Sequence, residues 1–196
     1  NSPTTPYAIF TFAPGVRINR ITAEASGGAV ATAIYAGAPV GQPAQLSNVL
    51  ARASSPDGAI CLIINGGAIL HNVRAEVTGN VNTGTAAQFL GGNTIEVNHS
   101  QFICDSSGNS CTGLRPSIQP GGALKLSHVS INARNSTGQV LGVFSDGAGA
   151  VTLSHARITG SSPSSIYGYL RYHGVVTMQN SSITVSGTGN AYGMMI

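Results

Sequence analysis

Among the residues with chemistry to offer, three histidines come first. His99, His128 and His155 fall at one position of successive sequence repeats, so stacked repeats would bring their imidazoles about 5 Å apart. Imidazole is a common transition-metal ligand, and the column invites a metal site. The same column, however, reads Arg20, Asn48 and Asn72 before the histidines and Asn180 after them. A position shared by Asn and His asks for a side chain that tolerates a left-handed backbone and bonds locally. The expectation is therefore a corner-turning column without a metal. His71 and His173 lie elsewhere, with no Ser or Cys placed to form a triad.

Carboxylates are the next candidates, and the chain has only six Asp and Glu. Cleaving a polysaccharide needs two acids at a defined separation, or calcium-binding carboxylates beside a basic group. Glu24 and Glu76 share a column two repeats apart with Arg52 between them, which reads as a surface ion-pair stack. Asp57, Glu96, Asp105 and Asp146 belong to separate loops or faces. No catalytic residue and no cofactor is assigned, and enzyme activity is the lesser expectation. Of the three cysteines, Cys61 sits in a column of small residues and reads as a buried thiol. Cys104 and Cys111 end one strand and begin the next around DSSGNS, where a disulfide would staple the loop. Such a bond suits an oxidising, extracytoplasmic location.

The elements that must position these groups follow from composition and period. Only 8% of the 196 residues are charged, against about 25% in an average domain. The net charge is +3 with no Lys/Arg run, which argues against nucleic acid as a partner. No apolar run approaches the roughly 18 residues of a membrane span, and the opening NSPTTPYAIF lacks the basic start of a signal peptide. Gly 26 and Pro 9 disfavour long helices, while a hydrophobic fraction of 42% is too high for disorder. Seven segments align without a gap, among them GVRINRITAEA (15–25), GAILHNVRAEV (67–77) and AVTLSHARITG (150–160). Their corner column recurs at spacings of 28, 24, 27, 29, 27 and 25. Apolar residues lie two and four positions before the column and at odd steps after it, which is the period of two strands meeting at a bend.

A third strand follows each loop, as in AICLII and VLGVFS. Its central column, Ala8, Ala33, Cys61, Ala87, Gly113, Gly142, Gly168 and Gly193, is uniformly small. Two residues on come Phe10, Tyr35, Ile63, Phe89, Arg115, Phe144, Leu170 and Met195, mostly bulky. Strict alternation points both columns inward and leaves an outward apolar strip between them. That strip includes Leu141, Val143, Tyr167, Tyr169 and Tyr192, with Arg171, Tyr172 and His173 close by. Exposed apolar strips mark interfaces or ligand sites. Aliphatic columns suit a protein partner or a second copy, whereas tyrosines with Arg171 suit a glycan. Tyr167, Tyr169, Tyr192, Arg171, Tyr172, Leu141 and Val143 are thus the candidate binding residues.

Three short strands per turn and about seven turns specify an all-β solenoid, with residues 1–196 forming a single domain. The pattern resembles the right-handed parallel β-helix of the pectin-lyase-like superfamily, including its Asn-rich corner. Within it, the closest likeness is to bacterial autotransporter passenger adhesins, whose few cysteines tend to be closely spaced. The resemblance implies a secreted or cell-surface rod that adheres to a host or bacterial surface protein or glycan, or self-associates. The enzyme branches of the superfamily are less similar, because this chain has no paired Asp-Asp and no Gly-His-Gly. The alternatives are a polysaccharide-binding or polysaccharide-degrading tailspike or lyase relative, and a structural spacer. Uncapped termini, with AYGMMI reading as an unfinished strand, lead to the expectation of a piece of a longer protein.

Overall fold

The corner column bends the backbone at every repeat. In the computed structural model, which describes residues 5–39 and 41–196, Arg20, Asn48, Asn72, His99, His128, His155 and Asn180 all have φ between 49° and 54°. They are the only non-glycine residues with positive φ among those described. An L-residue in this region costs about 1–2 kcal/mol unless its side chain compensates locally. Asn and His do so here, and Arg20 is the one member without that tendency.

Every element is a strand, and the strands stack in parallel as a β-solenoid of about seven turns. One sheet has eight strands, Tyr7–Phe12, Ala31–Ala38, Ala59–Gly66, Thr83–Gly91, Ser110–Ile118, Gln139–Ser145, Ile166–Arg171 and Ala191–Met195. The other has eleven and contains the corner. Arg17–Ser26, Ala44–Ser54 and Ala68–Gly79 run through it unbroken, whereas later turns divide there, as at Ala123–Ser127 and Ser130–Asn135. Registers match the repeat: Ile18, Leu46, Leu70, Val97, Leu126, Leu153 and Met178 pair in sequence. The length differences between repeats are absorbed in the loops.

The core is the solenoid interior. Phe89 and Phe102 meet edge to face with centroids 5.8 Å apart, joining the eight-stranded sheet to the bent one. Between them run the aliphatic columns of both sheets, buried throughout the middle turns. Burying rows of this kind against the neighbouring turns stabilises each turn mainly through its neighbours.

Two expectations about the eight-stranded sheet need correction. The first concerns one turn, where Ile60 pairs with Thr85 and Leu62 with Ala87. Ala86, not Ala87, therefore stands in the small column, and Phe89 falls one column further along. The adjacent alanines of TGTAAQFL made either alignment possible on size alone.

The second correction reverses a face. Pairing is recorded on both sides of the small column but not at it, as in Thr32 with Ile60 and Ile34 with Leu62. The chain bends there, so the residue after the small one also points inward. Ile34, Leu62, Leu114, Val143 and Tyr169 are accordingly buried. The next column, Phe10, Tyr35, Ile63, Gln88, Arg115, Phe144, Leu170 and Met195, lies on the outer side instead of filling the interior, with Ile63 and Leu170 covered by their neighbours. At this second bend the earlier turns carry Ala33, Cys61 and Ala86, whereas glycine is required at three later turns because isoleucines fill the space opposite. A methyl on Gly113 would overlap Ile131, one on Gly142 would overlap Ile158, and one on Gly168 would overlap Ile183.

Candidate functional site

The corner places its polar side chains in a ladder along one outer edge. The Asn72 amide donates to Asn48 Oδ1 at 2.9 Å, and the Asn48 amide to Asn19 Oδ1 at 3.2 Å. The rings of His99, His128 and His155 stack in parallel, with centroids 4.9 and 4.8 Å apart. Ser127 and Ser154 hydrogen-bond the Nδ1 atoms of His128 and His155 at 2.9 and 3.0 Å. Parallel stacked rings direct their in-plane lone pairs side by side instead of toward one point, which does not suit tetrahedral coordination of a single ion. No group of three His, Cys, Asp or Glu among the described residues could hold a metal.

The ion-pair ladder forms as the spacing implies. Arg52 Nη1 lies 3.0 Å from Glu24 Oε1, and Arg52 Nε lies 2.9 Å from Glu76 Oε2. Arg74, on the neighbouring position of the same strand, adds a second guanidinium to Glu76. Burial opposes ionisation of Glu76, but the hydrogen bonds from Arg52 and Arg74 together outweigh it and hold the carboxyl below its ordinary range. The Arg52 guanidinium is raised in turn, by Glu76 first and Glu24 second. A carboxylate held ionised between two arginines cannot serve as a general acid, so the arrangement is structural.

Cys104 and Cys111 form a disulfide across the loop, with Cα atoms 5.8 Å apart. Both are buried, so the bond ties the end of the bent sheet to the start of the next strand from inside the rod. Cys61 is free and buried, and desolvation pushes its thiol well above the ordinary range, leaving it inert.

The candidate binding residues divide between outside and inside. Leu141 and Tyr167 are half-buried on the outer face, Tyr192 is exposed, and Tyr172 is 63% exposed. Val143, Tyr169 and Arg171 are interior, which corrects the expectation that they line an outward strip. The second bend is the reason, because it moves all three to the core side. Arg171 Nη1 donates to the Tyr169 hydroxyl at 3.3 Å, and Nη2 donates to the Gly149 carbonyl at 2.7 Å.

What the outer face carries is therefore different from a continuous strip. Phe10 stacks on Tyr35 with centroids 4.9 Å apart, and Tyr7 packs edge-on against both. Tyr167 stacks on Tyr192 at 5.2 Å. Midway, Arg115 lies over the Phe144 ring and pairs with Asp146 at 2.9 Å, and Ser117 also bonds Asp146. Tyr172 packs edge-on against Phe144. The stacked rings spend one face each on one another, and Phe10, Tyr192 and Tyr172 keep exposed surface.

Sequence reasoning missed Arg115, Phe144 and Asp146 as an outer cluster, because it assigned Arg115 and Phe144 to the core. The signal was present: an Arg in a supposed interior column, with an acid one repeat later. Concavities of the described surface are lined by loop residues such as Ser54, Ser55, Thr78 and Asn80, and another by Glu96, Asn98 and Lys125. None of these pairs two carboxylates. No helix of the described chain is long and apolar enough to cross a membrane. No family model, curated protein or solved structure matches this chain. The functional reading therefore rests on the fold and the surface alone.

Proposed function

We propose that this β-solenoid is a non-catalytic binding rod that acts outside the cell, by adhesion or self-association, in the manner of the autotransporter passengers its repeat resembles. One observation carries this reading: the outer face of the eight-stranded sheet carries aromatic side chains that do not serve the core. Tyr167, half-buried, stacks on Tyr192 at 5.2 Å, and Tyr172, 63% exposed, packs edge-on against the Phe144 ring that Arg115 overlies. A partner or second copy laid on this face would bury apolar surface that now meets solvent. The disulfide supports an oxidising location, and the scarcity of clustered carboxylates supports the absence of hydrolase or lyase chemistry.

The test is the solution mass of the purified chain across concentration, by light scattering after size exclusion, for wild type and Leu141→Glu/Tyr167→Glu. Mass rising with concentration in the wild type alone supports self-association through this face. A monomer at all concentrations in both overturns it. A second reading rests on Tyr172, whose exposed ring stands beside the Arg115–Asp146 pair, a combination that suits a neutral glycan. Retention on a glycan array that is lost in Tyr172→Ala would favour it. A spacer role predicts neither behaviour.

A further inference from the structure

Arg171 is an unusual residue to find inside a β-solenoid. It is 2% exposed, it makes the two hydrogen bonds to Tyr169 and Gly149 given above, and its Nε–H has no partner. Among the described residues no carboxylate lies within 4.0 Å of it, since every recorded ion pair belongs to another cation. Asp146 follows Ser145, the residue that pairs with Arg171 across the ladder, but it turns outward and is held by Arg115 and Ser117. A guanidinium cannot shed its charge by titrating. Burying it without a counter-charge costs several kcal/mol, and a water molecule would satisfy the Nε–H without neutralising the ion.

The surroundings are built to hold the guanidinium in place. Gly174, at φ +86°, packs so closely that a Cβ there would overlap Nη2, and Gly149 presents its carbonyl to the same nitrogen. Ser145 and Tyr169 are both fully buried beside it. Desolvation raises the Tyr169 phenol, only partly offset by Arg171 and Ser145, so it remains protonated. The Tyr169 oxygen accepts from Arg171 Nη1, and the Tyr169 and Ser145 hydroxyls engage each other. Arg171 Nε–H is thus left as the unpartnered donor on one fixed positive charge, with no acid beside it.

We infer that the interior of the turn containing Arg171 binds a small monovalent inorganic anion of the chloride class, held by Arg171 Nε–H. Full burial of Arg171, Tyr169 and Ser145 argues against a ligand with a body reaching solvent, and the single positive charge matches a single negative one. The last turns of the rod then fold with the anion, so their stability follows halide concentration.

The experiment has two arms on the intact chain. In the first, crystals grown in sodium bromide are measured at the bromine absorption edge. An anomalous peak within hydrogen-bonding reach of Arg171 Nε is expected, and peaks confined to the protein surface would overturn the site. In the second, thermal midpoints are followed as sodium chloride replaces sodium gluconate at constant ionic strength. Wild type is expected to rise and saturate, while Arg171→Met stays flat. Equal midpoints for wild type in the two salts would also overturn the inference. If Arg171→Met does not fold, Tyr169→Phe replaces it and should shift the chloride midpoint to higher concentration, with the bromide peak in wild type still decisive.

Discussion

The bent sheet and the eight-stranded sheet each turn a corner once per repeat, by opposite means. The bent sheet uses a left-handed residue with a polar side chain outside, so its corner is marked by Asn or His at six of seven turns and by Arg20 at the first. The eight-stranded sheet uses a small residue with its face inward, so its corner is marked only by small side chains at Ala33, Cys61 and Ala86 and by glycine from Gly113 on. The first bend is paid for in backbone strain and repaid by hydrogen bonds along the Asn ladder and the stacked rings. The second avoids that strain and costs interior volume, which Ile131, Ile158 and Ile183 fill from across the rod. A solenoid can thus be turned by adding a polar group outside or by removing a methyl inside. Only the former leaves a chemical signature.

The sharpest way to break this contrast is at the second bend. Val143→Glu should unfold the chain or cost on the order of 4 kcal/mol, because it buries an unpaired charge. Leu141→Glu, two residues earlier on the outer face, should cost no more than about 1 kcal/mol. Urea midpoints measure both, and equal losses would mean that the strip is continuous after all. At the first bend, His128→Val should cost roughly 1–2 kcal/mol, since a β-branched residue is strained at φ 53°. His128→Gly should cost less than His128→Val by the same measurement, and the reverse order would sink the left-handed account.

The smallest effect sharpens the electrostatics of the bent sheet. Glu76→Gln should lose about 1 kcal/mol at pH 7, because it weakens the bonds from Arg52 and Arg74. The folded carboxyl titrates below its ordinary range, so its contribution is complete above that range and vanishes as pH falls through the lowered value. The gap between wild type and variant, read from midpoints at several pH values, should narrow as pH falls below the ordinary carboxylate range and close through the lowered value. A gap that widens in acid would contradict the assignment.

The bent sheet was legible in the sequence down to single residues. The seven corner positions, the paired inward columns and the Glu24–Arg52–Glu76 ladder follow from spacing and residue type, as does the Cys104–Cys111 bond that ties this sheet to the other. The eight-stranded sheet was legible as a strand with a small column, but its facing was not. A period of two carries no phase of its own, so one unmarked bend turned Val143, Tyr169 and Arg171 into the core and brought Arg115 and Phe144 out. The candidate surface changed with it, from a strip along the rod to clusters at its ends and middle.

The sequence alone determined the repeat, its period near 27, the strand identity of each segment and the polar corner, because each is recorded by residue type at a fixed spacing. The tertiary structure decided which side of the eight-stranded sheet meets solvent, which rings stack, and that Arg171 is enclosed without an acid. Those outcomes depend on how successive turns superimpose and on what stands across the interior, and both are relations between residues about a turn or more apart in the chain.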